Sequence, residues 1–188
     1  MDTGADGYRS VSSLIDAGDT DSAIEAVDKI LVTDPTDYKA WILKAAAFES
    51  QGNTDAALWA YDKACEGDGM FWPYLRKAQL LHRMERFDEA VVVLDEGLLI
   101  DPGYPGLWEA KGLVLEDLTR PDDALECFGR ALALDDSYGW SWFGLARMLV
   151  YADALDQALA ACDKALTLVG DDESLASFRD YVQGKRAG

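Results

Sequence analysis

A single period runs through nearly the whole of this chain. Alanine recurs at Ala23, Ala57, Ala90, Ala124 and Ala158, at steps of 34, 33, 34 and 34 residues. Trp41, Tyr74, Trp108 and Trp142 keep step with it, as do the small residues Ala45, Ala78, Gly112 and Ala146. Larger apolar residues follow in register: Phe48, Leu81, Leu115 and Leu149, then Val27, Tyr61, Leu94, Phe128 and Cys162. A repeat of this length restricts a chain to stacked arrays, because no single copy can bury its own apolar face.

Each copy contains two helical patterns. Trp108, Gly112 and Leu115 share one face at i, i+4 and i+7, and Ala124, Phe128 and Ala131 do the same on a second helix. A short turn separates them at Gly18-Asp19, Gly52-Asn53, Glu85-Arg86, Thr119-Arg120 and Ala152-Asp153. After every turn stands an aspartate: Asp21, Asp55, Asp88, Asp122 and Asp156. There it is expected to satisfy free backbone N–H groups and to complement the positive end of the helix dipole. Small facing residues let neighbouring helices approach closely, with the aromatic of one copy packed across the next.

These patterns predict one all-α domain over residues 1–188, with copies at 4–37, 38–70, 71–104, 105–138 and 139–172. The second copy is a residue short, which is assigned to the loop Gly67-Asp68-Gly69. Leu175, Phe178, Arg179 and Val182 continue a helical stripe and predict a capping helix over 173–184, with Gly184 to Gly188 frayed.

The residues in this register resemble those of the tetratricopeptide repeat (TPR) family, whose pattern runs Trp-x2-Leu-Gly-x2-Tyr and then Ala, Phe, Ala and Pro. The fourth copy carries the resemblance best, with Trp108, Lys111, Gly112 and Leu115, then Ala124, Phe128 and Ala131. The first is the weakest, having Gly7 in the aromatic position and Val11 in the small one. The resemblance implies an α-α superhelix, or solenoid, whose first helices line a concave groove, and an adaptor or scaffold that binds a partner peptide or helix there without catalysis. A self-associating module and a regulatory subunit of an enzyme complex are the alternatives.

Removing the packing positions leaves the residues such a groove would present. Lys39, Ile42, Leu43, Ala46, Glu49 and Ser50 come from the second copy, and Trp72, Leu75, Arg76, Gln79, His82 and Arg83 from the third. The fourth adds Gly106, Glu109, Ala110, Leu113, Glu116 and Asp117; the fifth adds Trp140, Phe143, Gly144, Arg147, Val150 and Tyr151. Aromatic and arginine anchors dominate interface energetics, so Trp72, Arg76, Gln79, His82, Arg83, Glu109, Trp140, Phe143, Arg147 and Tyr151 form the candidate peptide-binding set. Arg83 is expected to face Glu116 or Asp117. Trp59 is expected to point outward from a second helix.

Some TPR proteins grip acidic chaperone tails with a clamp of lysine, asparagine and arginine. That clamp is not supplied here: its positions hold Ile42, Ala46, Arg76, Gly106 and Ala110, or, one copy earlier, Tyr8, Ser12, Leu43, Trp72 and Arg76.

Charge narrows the partners further. A formal net charge of -18 repels phosphate backbones and anionic headgroups, so the expected ligand is a protein or peptide, with neither nucleic acid nor membrane. The three cysteines Cys65, Cys127 and Cys162 contain no CxxC pair, and the single histidine cannot form a metal cluster. No cofactor, metal or catalytic residue is expected. Nor does any apolar run approach a membrane span, and the acidic N-terminus resembles no secretion signal. The expectation is a soluble, cytoplasmic and monomeric protein.

Overall fold

The computed structural model describes residues 3–67 and 69–187, with side chains from Asp6 onward. Met1 and Asp2 of the acidic N-terminus, Asp68 of the shortened loop, and Gly188 lie outside the described residues. Eleven α-helices and no strand occur among those described. The chain divides into two compact units, Met1–Met84 and Glu85–Gly188.

The first unit holds α1 (Thr3–Asp16), α2 (Thr20–Thr33), α3 (Tyr38–Ser50), α4 (Thr54–Cys65) and α5 (Trp72–Arg83). Each helix packs on the next, and α3 also touches both α1 and α5. The odd-numbered helices therefore form one row. The second unit holds α6 (Phe87–Ile100), α7 (Pro105–Asp117), α8 (Pro121–Leu134), α9 (Gly139–Tyr151), α10 (Leu155–Val169) and α11 (Glu173–Ala187). Its helices also pack in sequence, with α7 against α9. Instead of fraying at Gly184, α11 continues to Ala187, with Leu175 and Val182 fully buried.

The periodic alanines mark the closest approaches: Ala23, Ala57, Ala90, Ala124 and Ala158 are all 0% exposed. A larger side chain there would hold the helix backbones apart. The periodic aromatics fasten the loops between copies. Trp41, Trp108 and Trp142 each donate their indole N–H to the carbonyl six residues earlier, on Pro35, Pro102 and Asp136, at 2.8, 2.9 and 2.9 Å. Tyr74 replaces the indole with a phenol that donates to the Cys65 carbonyl. An ion pair repeats beside them: Lys44–Asp28 and Lys77–Asp62 at 2.6 Å, then Lys111–Asp95 at 2.5 Å. At the next step Gly129 of the fourth copy and Leu145 of the fifth stand at these places, and both charges are gone together.

The turns correct one expectation about the aspartates. The caps of α2 and α4 are Asp19 and Asn53, whose side chains accept from the N–H of Ser22 and Ala56. Asp21 and Asp55 lie inside the first turn, so they contribute charge at the positive helix end and no cap hydrogen bond. At α6 and α8 the cap position is Arg86 or Arg120, which pairs instead with Glu89 or Asp123 three residues on.

Every turn between the two helices of a copy has one left-handed residue: Gly18, Gly52, Glu85, Thr119 and Asp153, with φ of 78°, 73°, 58°, 56° and 57°. The geometry reverses the chain tightly enough for Arg120 N–H to reach the Leu115 carbonyl at 2.9 Å. Glycine enters this region without a Cβ clash, whereas β-branched threonine is the most strained of the five. Thr119→Gly is therefore expected to stabilise the protein by roughly 1 kcal/mol, after allowance for the greater freedom of glycine in the unfolded chain. Thermal unfolding should show a rise of about 2–4 °C; a fall would mean that the threonine side chain makes contacts outweighing its strain.

Candidate functional site

Along the odd-numbered row of the first unit runs a groove of about 430 Å³. Tyr8 and Ser12 of α1, Tyr38, Lys39, Ile42 and Leu43 of α3, and Trp72 and Arg76 of α5 line it. Their meeting follows from helix geometry: residues three and four apart share a face, and three parallel faces stand side by side. The apolar part comes from Ile42, Leu43 and the aromatic rings, and Lys39 and Arg76 are its cations.

The groove walls are held by hydrogen bonds. Asp37 caps α3 by accepting from the N–H of Lys39 and Ala40, while its other carboxylate oxygen accepts from the Tyr8 hydroxyl. That hydrogen bond, reinforced by burial, pushes the Tyr8 pKa up to about 12. Tyr8 is thus a neutral donor through the physiological range. Trp72 is 39% exposed and lies against Phe71, with ring centroids 4.8 Å apart.

Of the candidate residues in this unit, Trp72 and Arg76 line the groove. Gln79 accepts a long hydrogen bond from Arg76, at 3.4 Å. His82 is half-buried near the end of α5. Arg83 pairs with Glu49, which also accepts from the buried Tyr61 hydroxyl at 2.5 Å. Burial first, and then this hydrogen bond, raise the Tyr61 pKa. Leu75 was expected on the groove surface and is buried in packing instead, at 6% exposure.

In the second unit Trp140, Phe143, Arg147 and Tyr151 lie along α9. Phe143 contacts Trp140 at 6.1 Å and stands edge-on to Phe178 of α11 at 5.4 Å. The Arg147 guanidinium lies over Phe143, 4.9 Å from the ring centroid, and pairs with Glu116 of α7 at 2.7 Å. Partial burial raises the Glu116 pKa, an effect that Arg147 opposes and neighbouring Asp117 adds to. Glu109 accepts from the Ser141 hydroxyl at 2.5 Å. Gly144, expected to face the groove, is instead buried against Phe128.

Three members of the first-unit groove were missed or misjudged by sequence reasoning. Tyr38 is not in the predicted set, although its place at the start of α3 beside Lys39 is readable. By sequence, Tyr8 and Ser12 stand out only as positions where a clamp fails. Their signal is positional: they occupy the register of Ile42 and Ala46 one copy earlier, so the same face was open to them.

Burial pushes the Cys127 and Cys162 thiols up to about 11, which leaves them protonated and poor nucleophiles. Among the described residues no group of three or more His, Cys, Asp or Glu is placed to hold a metal ion. Nor is any helix among them long and apolar enough to cross a membrane.

A tetratricopeptide repeat profile matches residues 8–69 and 109–173, and a second profile of that description matches 73–104. The chain belongs to the tetratricopeptide repeat family, and its fold is that of the all-α TPR solenoids. No curated protein sequence matches it. Among solved structures, pilF of Pseudomonas aeruginosa superposes with a TM-score of 0.81 at 22% identity, covering 97% of this chain and 85% of that one. TTC0263, a thermophilic TPR protein of Thermus thermophilus, gives 0.70 at 25% identity, with 95% and 98% covered. YrrB, described as a TPR protein with an unusual peptide-binding site, gives 0.70 at 18% identity, with 93% and 90% covered.

Proposed function

We propose that this protein is a non-catalytic interaction module that holds a peptide of a partner protein against α1, α3 and α5. The observation carrying this reading is the groove itself: an aromatic and aliphatic surface with Lys39 and Arg76 beside it, on a chain whose net charge is -18. Local cations on an acidic molecule suit a ligand with an apolar anchor next to a carboxylate. Helices fixed by packing lose little order on binding, so more of the contact energy reaches the affinity. Support also comes from family membership and from a solved TPR neighbour described as having a peptide-binding site. In the second unit, the aromatic residues Trp140, Phe143 and Tyr151 of α9 are a further candidate surface. Arg83, Arg147, Glu109 and Glu116 are already paired, and their part is to hold the helices in place.

Display of random peptides, followed by calorimetry on the enriched sequences, tests the proposal. Enriched peptides should combine an aromatic or aliphatic residue with Asp or Glu. Trp72→Ala/Arg76→Ala, verified as folded by circular dichroism, should weaken them at least about 30-fold, the loss of one interface hot spot. Binding that survives this variant and Tyr8→Ala unchanged would remove the groove from the mechanism.

A further inference from the structure

Segments 67 residues apart in the two units share one arrangement, and differ in what surrounds it. In the first unit Trp59 of α4 lies edge-on to Trp41, with ring centroids 5.3 Å apart. The Lys44 ammonium stands over both rings, 5.3 Å from Trp41 and 5.7 Å from Trp59, while paired with Asp28. Moving 67 residues along the chain turns Asp28, Trp41 and Lys44 into Asp95, Trp108 and Lys111. The arrangement persists there: Lys111 pairs with Asp95 and stands 5.9 Å from the Trp108 ring. Trp59, however, becomes Glu126. Where the first unit has an indole, the second has a pocket of about 350 Å³ lined by Val91, Trp108, Leu115 and Cys127, by the Lys111–Asp95 and Arg120–Asp123 ion pairs, and by Glu126.

We infer that this pocket receives a tryptophan side chain from a partner polypeptide, in the place that Trp59 takes in the first unit. An indole supplies what the pocket lacks. It gives Trp108 an edge-to-face partner and the Lys111 ammonium a second aromatic face. Glu126, standing where the other unit has Trp59, adds an acceptor for the indole N–H. The pocket volume falls within the range of small-ligand sites. Its residues lie on α6, α7 and α8, so the site is separate from the groove on α1, α3 and α5.

Methyl NMR of the full chain, titrated with N-acetyl-tryptophanamide, tests the inference. Saturable ring-current shifts are expected on the Val91 and Leu115 methyls at millimolar probe, with N-acetyl-leucinamide at least about tenfold weaker. Glu126→Trp should fill the pocket from within, raise Tm by about 2–4 °C and abolish those shifts. Trp59→Glu, a change at a half-exposed position, should open the matching pocket in the first unit and bring saturable shifts to the Ile24 methyl, the counterpart of Val91. Absence of saturation at Val91 and Leu115 would overturn the inference, as would equal response to the leucine probe. Retention of binding in Glu126→Trp would do the same.

Discussion

Phe128→Ala is expected to lower the stability of the second unit by about 3–5 kcal/mol, the usual loss for emptying a fully buried aromatic site. The melting transition should fall by about 10 °C or more. Phe128 is 0% exposed, and its ring fills a slot left by two glycines on different helices. A Cβ on Gly112 of α7 would come within 2.8 Å of the ring, and one on Gly144 of α9 within 2.4 Å. Both lie below ordinary contact, so Gly144→Ala should itself cost about 2 kcal/mol by overpacking. The two changes should not add. With the ring gone, the alanine methyl has space, and its helix propensity, about 1 kcal/mol better than glycine, should make Gly144→Ala neutral or stabilising in the Phe128→Ala background. Urea unfolding of the four proteins in this cycle measures the coupling; simple additivity would mean that ring and glycine do not share the slot.

Arg147→Met should make stability depend on pH in a direction set by Glu116. Methionine keeps the packing of the arginine stem and removes its charge. Glu116 is already raised by burial, and the opposing influence is Arg147. Without that cation the folded-state pKa rises further above the unfolded value. A carboxyl shifted upward contributes its stability fully below the unfolded pKa and loses it as pH rises through the folded one. The variant should therefore approach wild type near pH 4.5 and fall about 2–3 kcal/mol below it at pH 8, the cost of a partly buried charge left without its partner. Adding Glu116→Gln should remove most of this dependence. An Arg147→Met deficit that stays constant between pH 4.5 and 8 would place the arginine's contribution in its stacking over Phe143 instead.

The helical pairs, their turns and the family were legible in the sequence because each copy repeats the same chemistry. Ala124 and Gly112 had to be small where helices approach, and an aromatic residue such as Trp108 or Tyr74 recurs where a loop is fastened. The left-handed turn positions were also within reach: Glu85, Thr119 and Asp153 occupy the register of Gly18 and Gly52. Side-chain pairing was less accessible, because a period says which residues share a face and leaves open which neighbour each long side chain reaches. Arg83 could extend in several directions, and only the packed helices direct it to Glu49. Gly144 looked like a surface residue by elimination, yet the Phe128 ring makes it a packing position.

The sequence by itself determined the periodic small and aromatic positions, and with them a stack of paired helices, because backbone approach and apolar burial follow directly from residue size and spacing. Only the tertiary structure decided where space was left over: a groove between Tyr8, Leu43 and Trp72, a slot closed by Phe128, and a pocket at Glu126 where the other unit carries Trp59. Such spaces depend on the rotamers of residues from three helices at once, and no local pattern encodes that joint choice.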